Sequence, residues 1–343
     1  MQARNLDEKV RFVKVLITGS KYYSVKIMLR LKMPLTGFEI NESAVKAVQL
    51  KKDKNGWRLL QRETEFFHKG TISPSYNEKN INDSQKFLET IKRVLGRIKG
   101  RVSRIGLSVP NDIVKISIQK FNDLPKSGLE TEKMISWWAK KSFRFPVERA
   151  RISYSLVGRN MDGGENLLIA VGLQDVIKDY ELNLKKLKIS AEIIQPASIN
   201  HFNFYRNQID TDGIIVFIGI FENYHSFFVF EDAQLIFYHG VRRGGSDIYF
   251  VQDIDLIIQH YMNINPDKKL EKLYIGSQVG SYREIEEKIK NICDLKVSFI
   301  DATRLIIDES QPTKMAAGSN GAREEDMLSS FVSAIGAAQS LVQ

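Results

Sequence analysis

A repeated order of predicted elements constrains the fold of this chain more than any other feature. In the first block, Gly37–Leu50 is predicted to form a strand, a turn and a second strand, "WRLLQRETEFF" a third strand, and a helix begins at Asp83–Ser84 before two further strands. The second block, from Asp212, repeats three strands, a helix from Asp247 to about Met262, and the strand "KLYIGS". The repetition predicts an α/β protein with two similar lobes and a cleft between them.

Composition narrows the class of protein. The 343 residues are 43% hydrophobic and 27% charged, which is typical of a globular protein and excludes wholesale disorder. No apolar run reaches the roughly 20 residues that span a bilayer, and "VRFVKVLITGS" is a poor signal peptide because two cations interrupt it. A single cysteine, Cys293, excludes an internal disulfide framework. We therefore expect a soluble, cytoplasmic protein.

The net charge of +9 is concentrated in two segments. Residues 1–34 contain eight lysines or arginines against two carboxylates, and residues 92–104 read "KRVLGRIKGRVSR". Basic segments attract anionic membrane surfaces or nucleic acid, and each cation near a membrane adds about 1 kcal/mol of attraction. Because neither segment has zinc-ligand spacing or an aromatic RNA-binding motif beside it, we expect no nucleic-acid partner and keep that class as an alternative.

A break at Pro125 and Gly128 precedes a segment that differs from both blocks. A helix is predicted over 130–142, followed by the strands "ARISYSLVG" and "NLLIAVGL" with a turn-rich stretch between them. One helix and one β-hairpin predict a small subdomain inserted in the first lobe. The helix contains Trp137 and Trp138, which as neighbours cannot both face one core, so one of them could anchor a partner.

Taken in order, the motifs resemble a known family. "PLTGFEINESAVKAVQL", "GLSVP", "IVFIGIFENYHSFFVF", "LIFYHGVRRGG", "LYIGSQVG" and "FVSAIGAA" follow the order and spacing of PilM proteins. These are cytoplasmic, actin-like components of type IV pilus assembly, related to the cytoplasmic part of type II secretion L-type proteins. The resemblance covers about residues 34–340. It implies an actin-like, RNase H-like duplicated fold with two lobes around an ATP cleft, an inserted αβ subdomain, and a reduced helical subdomain in the second lobe.

The resemblance also implies how the chain is divided. The second lobe would follow the first, and the C-terminal helix would return to the first lobe after a flexible loop. The implied parts are a basic extension at 1–34, the first lobe at 35–210 with its inserted subdomain at about 119–172, the second lobe at 211–308, the flexible loop at 309–325 and the C-terminal helix at 326–343.

The first phosphate motif of the family is altered in this chain. In the family, an Asp, small hydroxyl residues and a Val-Lys pair follow a glycine, so that N–H groups and hydroxyls face the phosphate. Here Glu39 replaces the Asp and Glu42 lies at the tip. A carboxylate about 4 Å from a phosphate charge would cost on the order of 4 kcal/mol. The positions of this motif are Gly37, Glu39, Asn41, Glu42, Ser43 and Lys46.

The second and third motifs also lack groups that hold a nucleotide. In "VFIGIFENYHS", the family's Asp position is assigned to Phe217, before Gly219, and phenylalanine has no oxygen for Mg²⁺. The adenosine motif keeps only its flanking glycines, the first of which is Gly276. Between Gly244–Gly245 and Gly276 there is room for one helix, about half of the family's helical subdomain. We expect no cofactor, no metal and no catalytic residue, while ATP and Mg²⁺ binding stays an alternative.

The resemblance implies a scaffold rather than an enzyme. A PilN-like protein with one membrane span would place its cytoplasmic tail in a groove between the first lobe (35–118 and 173–210) and the inserted subdomain. The pilus motor ATPase would be a further partner, and the basic extension would face anionic lipid at the inner membrane. A working ATPase that uses Glu39 in place of the Asp stays open as the enzyme alternative. The five histidines lack metal-ligand spacing.

Overall fold

A computed structural model describes most of the chain. The described residues are 11–12, 34–143, 147–159, 163–242, 247–264, 266, 269–279, 289, 296–310 and 328–342. The predicted extension at 1–34 and the predicted flexible loop at 309–325 lie largely outside these ranges, and Gly244, Gly245 and Cys293 lie wholly outside them. Within the described ranges, no helix combines the length and the apolar character that a bilayer crossing requires.

A seven-stranded sheet forms the first lobe. Its strands are β1 Arg11–Phe12, β2 Leu35–Ile40, β3 Ala44–Asp53, β4 Gly56–Phe66, β5 Arg104–Val109, β9 Ser190–Pro196 and β15 Ile307–Asp308. They lie in the order β1-β9-β5-β2-β3-β4-β15. The first long strands, β2 to β4, form an antiparallel meander, whereas β5 and β9 extend the sheet in parallel from β2. Phe38, Ile40 and Val48 are fully buried, which explains the apolar runs in these strands.

The second lobe contains a five-stranded sheet of the same plan. Its strands are β10 Ile214–Ile220, β11 Tyr224–Glu231, β12 Gln234–Arg242, β13 Lys272–Ser277 and β14 Lys296–Phe299, in the order β12-β11-β10-β13-β14. Again, an antiparallel meander of three strands is extended by two parallel strands. This matches β4-β3-β2-β5-β9 of the first lobe in order and direction. The predicted duplicated, two-lobed α/β fold is confirmed.

Six helices complete the described fold, and their starts and faces follow from local sequence. They are α1 Ser84–Arg97, α2 Gly128–Ser142, α3 Gln174–Lys186, α4 Ala197–Tyr205, α5 Asp247–Ile264 and α6 Val332–Gln339. The predicted cap of α1 is present, since the Asp83 carboxylate accepts a hydrogen bond from the Lys86 N–H at 3.0 Å. Every residue of α4 and α6 is buried.

A separate three-stranded antiparallel sheet belongs to the region predicted as an inserted subdomain. Its strands are β6 Lys115–Phe121, β7 Ala150–Arg159 and β8 Glu165–Leu173, in the order β6-β8-β7. The strand predicted after Pro110 is β6, and it pairs with β8 of the small sheet. A short 3₁₀ turn at Asn111–Ile113 redirects the chain, so the small sheet has three strands rather than a hairpin.

The central strand of the small sheet, β8, is buried on both faces. On one face, Ile135 of α2 packs against Leu167 and Ile169. On the other face, Leu168 and Ala170 join the main core. Successive side chains of β8 therefore point alternately into two different cores. This explains why the strand is apolar at nearly every position.

The described part of the N-terminal region adds an edge strand to the main sheet. β1 runs parallel to β9, with Arg11 opposite Ile193 and Phe12 opposite Ile194. Ile193 is only 6% exposed. An uncovered apolar edge strand is a site for aggregation, so the pairing with β1 protects β9.

Candidate functional site

The cleft lies between the two lobes, where the turns after β2 and β10 face each other. Its cavity volume is ≈ 130 Å³, below the roughly 300–1,000 Å³ of typical ligand pockets. Among the described residues of its walls, carboxylates outnumber cations. The four carboxylates are Glu39, Glu42, Asp112 and Glu222, and the two cations are Lys46 and Arg242. A nucleotide triphosphate would therefore meet an excess of like charge.

Two turns of the same geometry form this cleft. In the first lobe, the N–H of Asn41 donates to the carbonyl of Ala44 at 3.0 Å. In the second lobe, the N–H of Phe221 donates to the carbonyl of Tyr224 at 2.9 Å. Each turn joins the first two strands of its lobe's meander. They are equivalent positions of the duplicated fold, and the resemblance places a phosphate loop at each of them.

The register of the two turns corrects one sequence assignment. In the first lobe, Glu39 lies opposite Lys46, two residues before the turn. At the same distance before the second turn, Gly219 lies opposite Ser226. The residue that corresponds to Glu39 is therefore Gly219, and Phe217 corresponds to Gly37 instead. Glycine has no side-chain oxygen either, so the second motif still offers no carboxylate to a metal ion.

Two backbone donors of the first turn are satisfied by the Asn41 side chain. Its side-chain oxygen Oδ1 accepts hydrogen bonds from the Ser43 N–H at 2.9 Å, the Ala44 N–H at 2.7 Å and the Ser43 hydroxyl at 3.1 Å. A phosphate loop depends on free N–H groups that point at the anion. Here an internal acceptor takes those hydrogen bonds, so the turn offers little to a phosphate.

An arginine from the second lobe forms ion pairs with the first lobe across the cleft. Arg242, at the end of β12, forms ion pairs with Glu42 at 3.3 Å and with Asp112 at 3.6 Å. Burial raises the pKa of the Asp112 carboxyl, and the nearby Arg242 guanidinium partly offsets this. Glu42 therefore has an ion-pair partner in the other lobe, at the turn where the resemblance places a phosphate loop.

A second bridge between the lobes lies at the cleft floor. Gln278, just after β13, donates to the Glu39 carboxylate at 3.4 Å and to the Ser333 hydroxyl on α6. Glu39 is buried, and its burial raises the pKa of the carboxyl, while Lys46 and Gln278 act in the opposite direction. Lys46 itself donates to the Ser330 carbonyl at 2.7 Å. The charged positions of the first phosphate motif thus contribute to holding the two lobes and the C-terminal segment together.

The glycines of the first lobe are required by helix packing. Gly37 and Gly106 lie opposite each other on β2 and β5. A Cβ on Gly37 would lie 2.0 Å from the carbonyl oxygen of Ala334, and one on Gly106 would lie 1.9 Å from that of Ala337. The backbone of α6 therefore rests directly on the sheet. Gly37 has a structural function that needs no nucleotide.

The second lobe uses its glycines in a similar way. Gly219 and Gly276 are paired on β10 and β13. A Cβ on Gly276 would lie 2.5 Å from a ring carbon of Tyr205, and one on Gly219 would lie 3.1 Å from the imidazole of His201. Both side chains belong to α4. These glycines therefore allow α4 to pack on the second sheet, as Gly37 and Gly106 allow α6 to pack on the first.

Phe217 and His201 are core residues between β10 and α4. The Phe217 ring lies 5.6 Å from Phe202 and 5.9 Å from Phe228, measured between ring centroids. His201 lies 4.8 Å from the Phe221 ring, and burial lowers the pKa of its imidazole to about 3. His201 is therefore neutral at physiological pH. Within the described residues, neither of its ring nitrogens has a hydrogen-bond partner, which does not suit a catalytic base.

The two tryptophans of α2 have different surroundings. Trp137 is 60% exposed, and the Lys141 ammonium lies 3.8 Å from its ring centroid. Trp138 packs edge-on against Phe143 and joins the core of the small sheet. Leu129, at the start of the same helix, is 63% exposed. Of the two tryptophans, Trp137 is thus the one available to a partner.

Three points remain about the predicted site: the paired glycines, a possible metal site and the residues that sequence reasoning missed. Gly244 and Gly245 lie outside the described residues. Over the part of the chain that the structure describes, no group of three or more His, Cys, Asp or Glu side chains could hold a metal ion. Sequence reasoning missed Arg242, Asp112 and Gln278, which form the bridges across the cleft. Each is an ordinary polar residue distant in sequence from its partner, so no local motif marks it.

Comparison with models of protein families identifies the family of this chain. The model described as type IV pilus assembly protein PilM matches residues 37–250. The chain belongs to this family. That match includes both cleft turns, so the altered phosphate motifs are those of a PilM-family protein. No curated protein sequence matches the chain.

Comparison with solved structures addresses the fold. The chain is similar to a structure described as the PilM–PilN type IV pilus biogenesis complex, with a TM-score of 0.71 and 13% identity over 90% of this chain and 98% of that one. At this identity the likeness shows the fold, and the predicted actin-like fold is confirmed. The cytoplasmic domain of EpsL, an inner-membrane component of the Vibrio cholerae type II secretion system, has a TM-score of 0.45 with 8% identity over 82% and 90% of the chains. EutJ from Carboxydothermus hydrogenoformans has 0.42 with 10% identity over 89% of each chain.

Proposed function

We propose that this PilM-family chain is a scaffold of a type IV pilus or type II secretion-like assembly that does not hydrolyse ATP. The observation that supports this most directly is the internal use of the first phosphate motif. Asn41 accepts the N–H groups of its own turn, Lys46 binds the Ser330 carbonyl, and Glu42 pairs with Arg242. A scaffold needs its lobes in a fixed relation, and these bonds contribute to that without a nucleotide.

The proposed partner is the cytoplasmic tail of a single-span, PilN-like inner-membrane protein. A structure with the same fold is described as a PilM–PilN complex, which supports this class of partner. We place the tail on the inserted subdomain along the exposed side of α2, because Leu168 and Ala170 already fill the interface between the small sheet and the main core. Exposed Trp137 and Leu129 supply apolar anchors there. The scaffold would thereby sit at the cytoplasmic face of the inner membrane, within reach of the pilus motor ATPase and of anionic lipid near the basic residues 1–34.

A matched pair of tryptophan variants tests this proposal. Peptides that copy the tails of single-span proteins encoded beside this chain would be titrated by fluorescence polarisation. We expect Trp137→Ala to weaken binding by at least about 2 kcal/mol, or roughly 30-fold, without lowering Tm. Trp138→Ala should instead lower stability by about 3 kcal/mol because it removes packing from the small-sheet core. Full affinity in Trp137→Ala, or no binding of any tail by the wild type, would reject the proposal.

A further inference from the structure

Three connecting segments meet at the end of the main sheet farthest from the cleft. β2 runs toward the cleft, and β5 and β9 run parallel to it, so both begin at the far end. The hairpin between β3 and β4 turns at the same end. The segments are residues 51–58, 98–104 and 185–190, together called the basic edge. The Ser190 N–H donates to the Ser103 carbonyl at 2.9 Å, which places the second and third segments side by side.

The basic edge has an extreme charge composition. Its segments contain ten lysines or arginines and one carboxylate, Asp53. Arg58 pairs with Asp53, and Arg104 pairs with Glu192 at 3.3 Å. The other eight cations are exposed and form no ion pair within the described part of the chain. They are Lys51, Lys52, Lys54, Lys99, Arg101, Lys185, Lys186 and Lys188.

The cations cover a broad surface rather than a point. From β9 to β4 there are four steps between neighbouring strands, and each step is about 4.8 Å, so the edge is about 19 Å wide. The opposite end of the main sheet faces the carboxylates of the cleft, among them Glu42 and Glu222. The charge therefore changes sign along the β2 direction. A negatively charged surface would attract the basic edge and turn the cleft away from itself.

We propose that the basic edge binds the anionic phospholipid surface of the membrane in which the tail partner is anchored. The location rests on the proposed function, while the binding chemistry rests on the cations alone. Headgroup phosphates need only a broad array of charges, and each cation near the surface strengthens binding about fivefold. Single-stranded nucleic-acid sites add exposed aromatic rings for stacking. Trp57 is partly buried and lies beneath Lys52, at 5.3 Å from the ring centroid, so the edge favours lipid.

Vesicle binding by the full chain tests the proposal. The probe is a vesicle of phosphatidylglycerol and phosphatidylcholine, with pure phosphatidylcholine as reference, at an ionic strength of about 0.15 M. The edge variant combines Lys54→Gln, Arg101→Gln and Lys185→Gln. The matched control combines Lys69→Gln, Lys79→Gln and Lys126→Gln, which removes the same charge from exposed positions outside the edge. We expect the edge variant to bind anionic vesicles about 100-fold more weakly, and the control to bind within about threefold of wild type.

Four outcomes of these experiments would overturn the lipid proposal. Equal losses in both variants would overturn the proposal, since net charge alone would then explain binding. Wild-type binding to neutral vesicles at the same strength, or no binding to anionic vesicles, would also overturn it. Tight binding of duplex DNA that is lost in the edge variant, without vesicle binding, would assign the edge to nucleic acid instead. Tail-peptide affinity, measured separately, should be equal in both variants, so a failure of lipid binding is distinguishable from a failure of the proposed scaffold function.

Discussion

The Nζ atom of Lys46 lies 2.7 Å from the backbone carbonyl oxygen of Ser330, to which it donates a hydrogen bond. Lys46 is the lysine of the first phosphate motif, and Ser330 lies two residues before α6, the helix that packs on Gly37. The motif therefore contacts α6 through Gly37 and the residues just before α6 through Lys46. Positions that would serve a nucleotide in a PilM-like cleft instead hold the C-terminal segment on the sheet.

Magnesium ATP should leave the thermal stability unchanged. A ligand at 100 times its Kd adds about 2.7 kcal/mol to the free energy of unfolding, which scanning calorimetry detects readily. We expect no such increase, because Asn41 already accepts the Ser43 and Ala44 N–H groups of the first turn and carboxylates line the cleft. Magnesium chloride at matched ionic strength is the control. A saturable rise in Tm with ATP would show that the cleft still binds nucleotide.

Lys46→Met should destabilise the protein by about 1–2 kcal/mol. The substitution keeps most of the side-chain volume but removes the hydrogen bond to Ser330 and leaves that carbonyl without this donor. Urea denaturation would report the loss as a lower midpoint at unchanged slope. Lys69→Met, at an exposed position, should change stability by less than about 0.5 kcal/mol. Equal effects of the two substitutions would contradict a structural role for Lys46.

Glu39→Gln should stabilise the protein at neutral pH, and the difference should shrink in acid. Burial raises the pKa of Glu39 above 4.5, so the folded state binds more protons than the unfolded state between the two pKa values. The wild type therefore gains stability, relative to the uncharged variant, as pH falls through the folded pKa, and levels off below the unfolded value. Urea titrations from neutral pH to below pH 4.5 would measure this. A pH-independent difference would show that Glu39 ionises normally.

Gly37→Ala should cost about 3 kcal/mol or more. Its Cβ would lie 2.0 Å from a backbone oxygen of α6, which cannot rotate away, so the helix must shift. Gly96, within α1, has nothing within 4 Å of an added Cβ, and Gly96→Ala should stabilise by roughly 0.5–1 kcal/mol. Chemical denaturation of both variants makes the comparison. Near-neutral behaviour of Gly37→Ala would mean that α6 is not fixed on this sheet.

Local sequence predicted the helices and strands themselves better than it predicted which strands pair with each other. The start and buried face of α1 were predictable because Asp83 caps the helix and its apolar residues recur at helical spacing. β6 was also predicted as a strand, yet its pairing with β8 depends on a segment about 50 residues further on. Hydrophobic alternation shows that a strand exists, but it does not identify the neighbour to which the strand pairs.

The cleft shows the same limit of local reasoning. The altered residues of the first phosphate motif, Glu39 to Lys46, were recognisable from order and spacing. Phe217 was assigned to the wrong position because only the register of the second turn shows that Gly219 matches Glu39. The ion pair of Arg242 with Glu42 joins residues 200 positions apart. Such a contact follows from how the lobes close, which no single motif encodes.

The turn closed by Asn41 also bears on how this chain can change over generations. A mutation to glycine would remove three hydrogen bonds to the Asn41 side chain before any phosphate could replace them. Glu42 would still face Arg242, so the first mutant would lose stability and gain no ligand. We therefore expect single substitutions toward a glycine-rich phosphate loop to lower stability before they create a phosphate site. Several substitutions together would be needed to exchange the internal hydrogen bonds for a ligand.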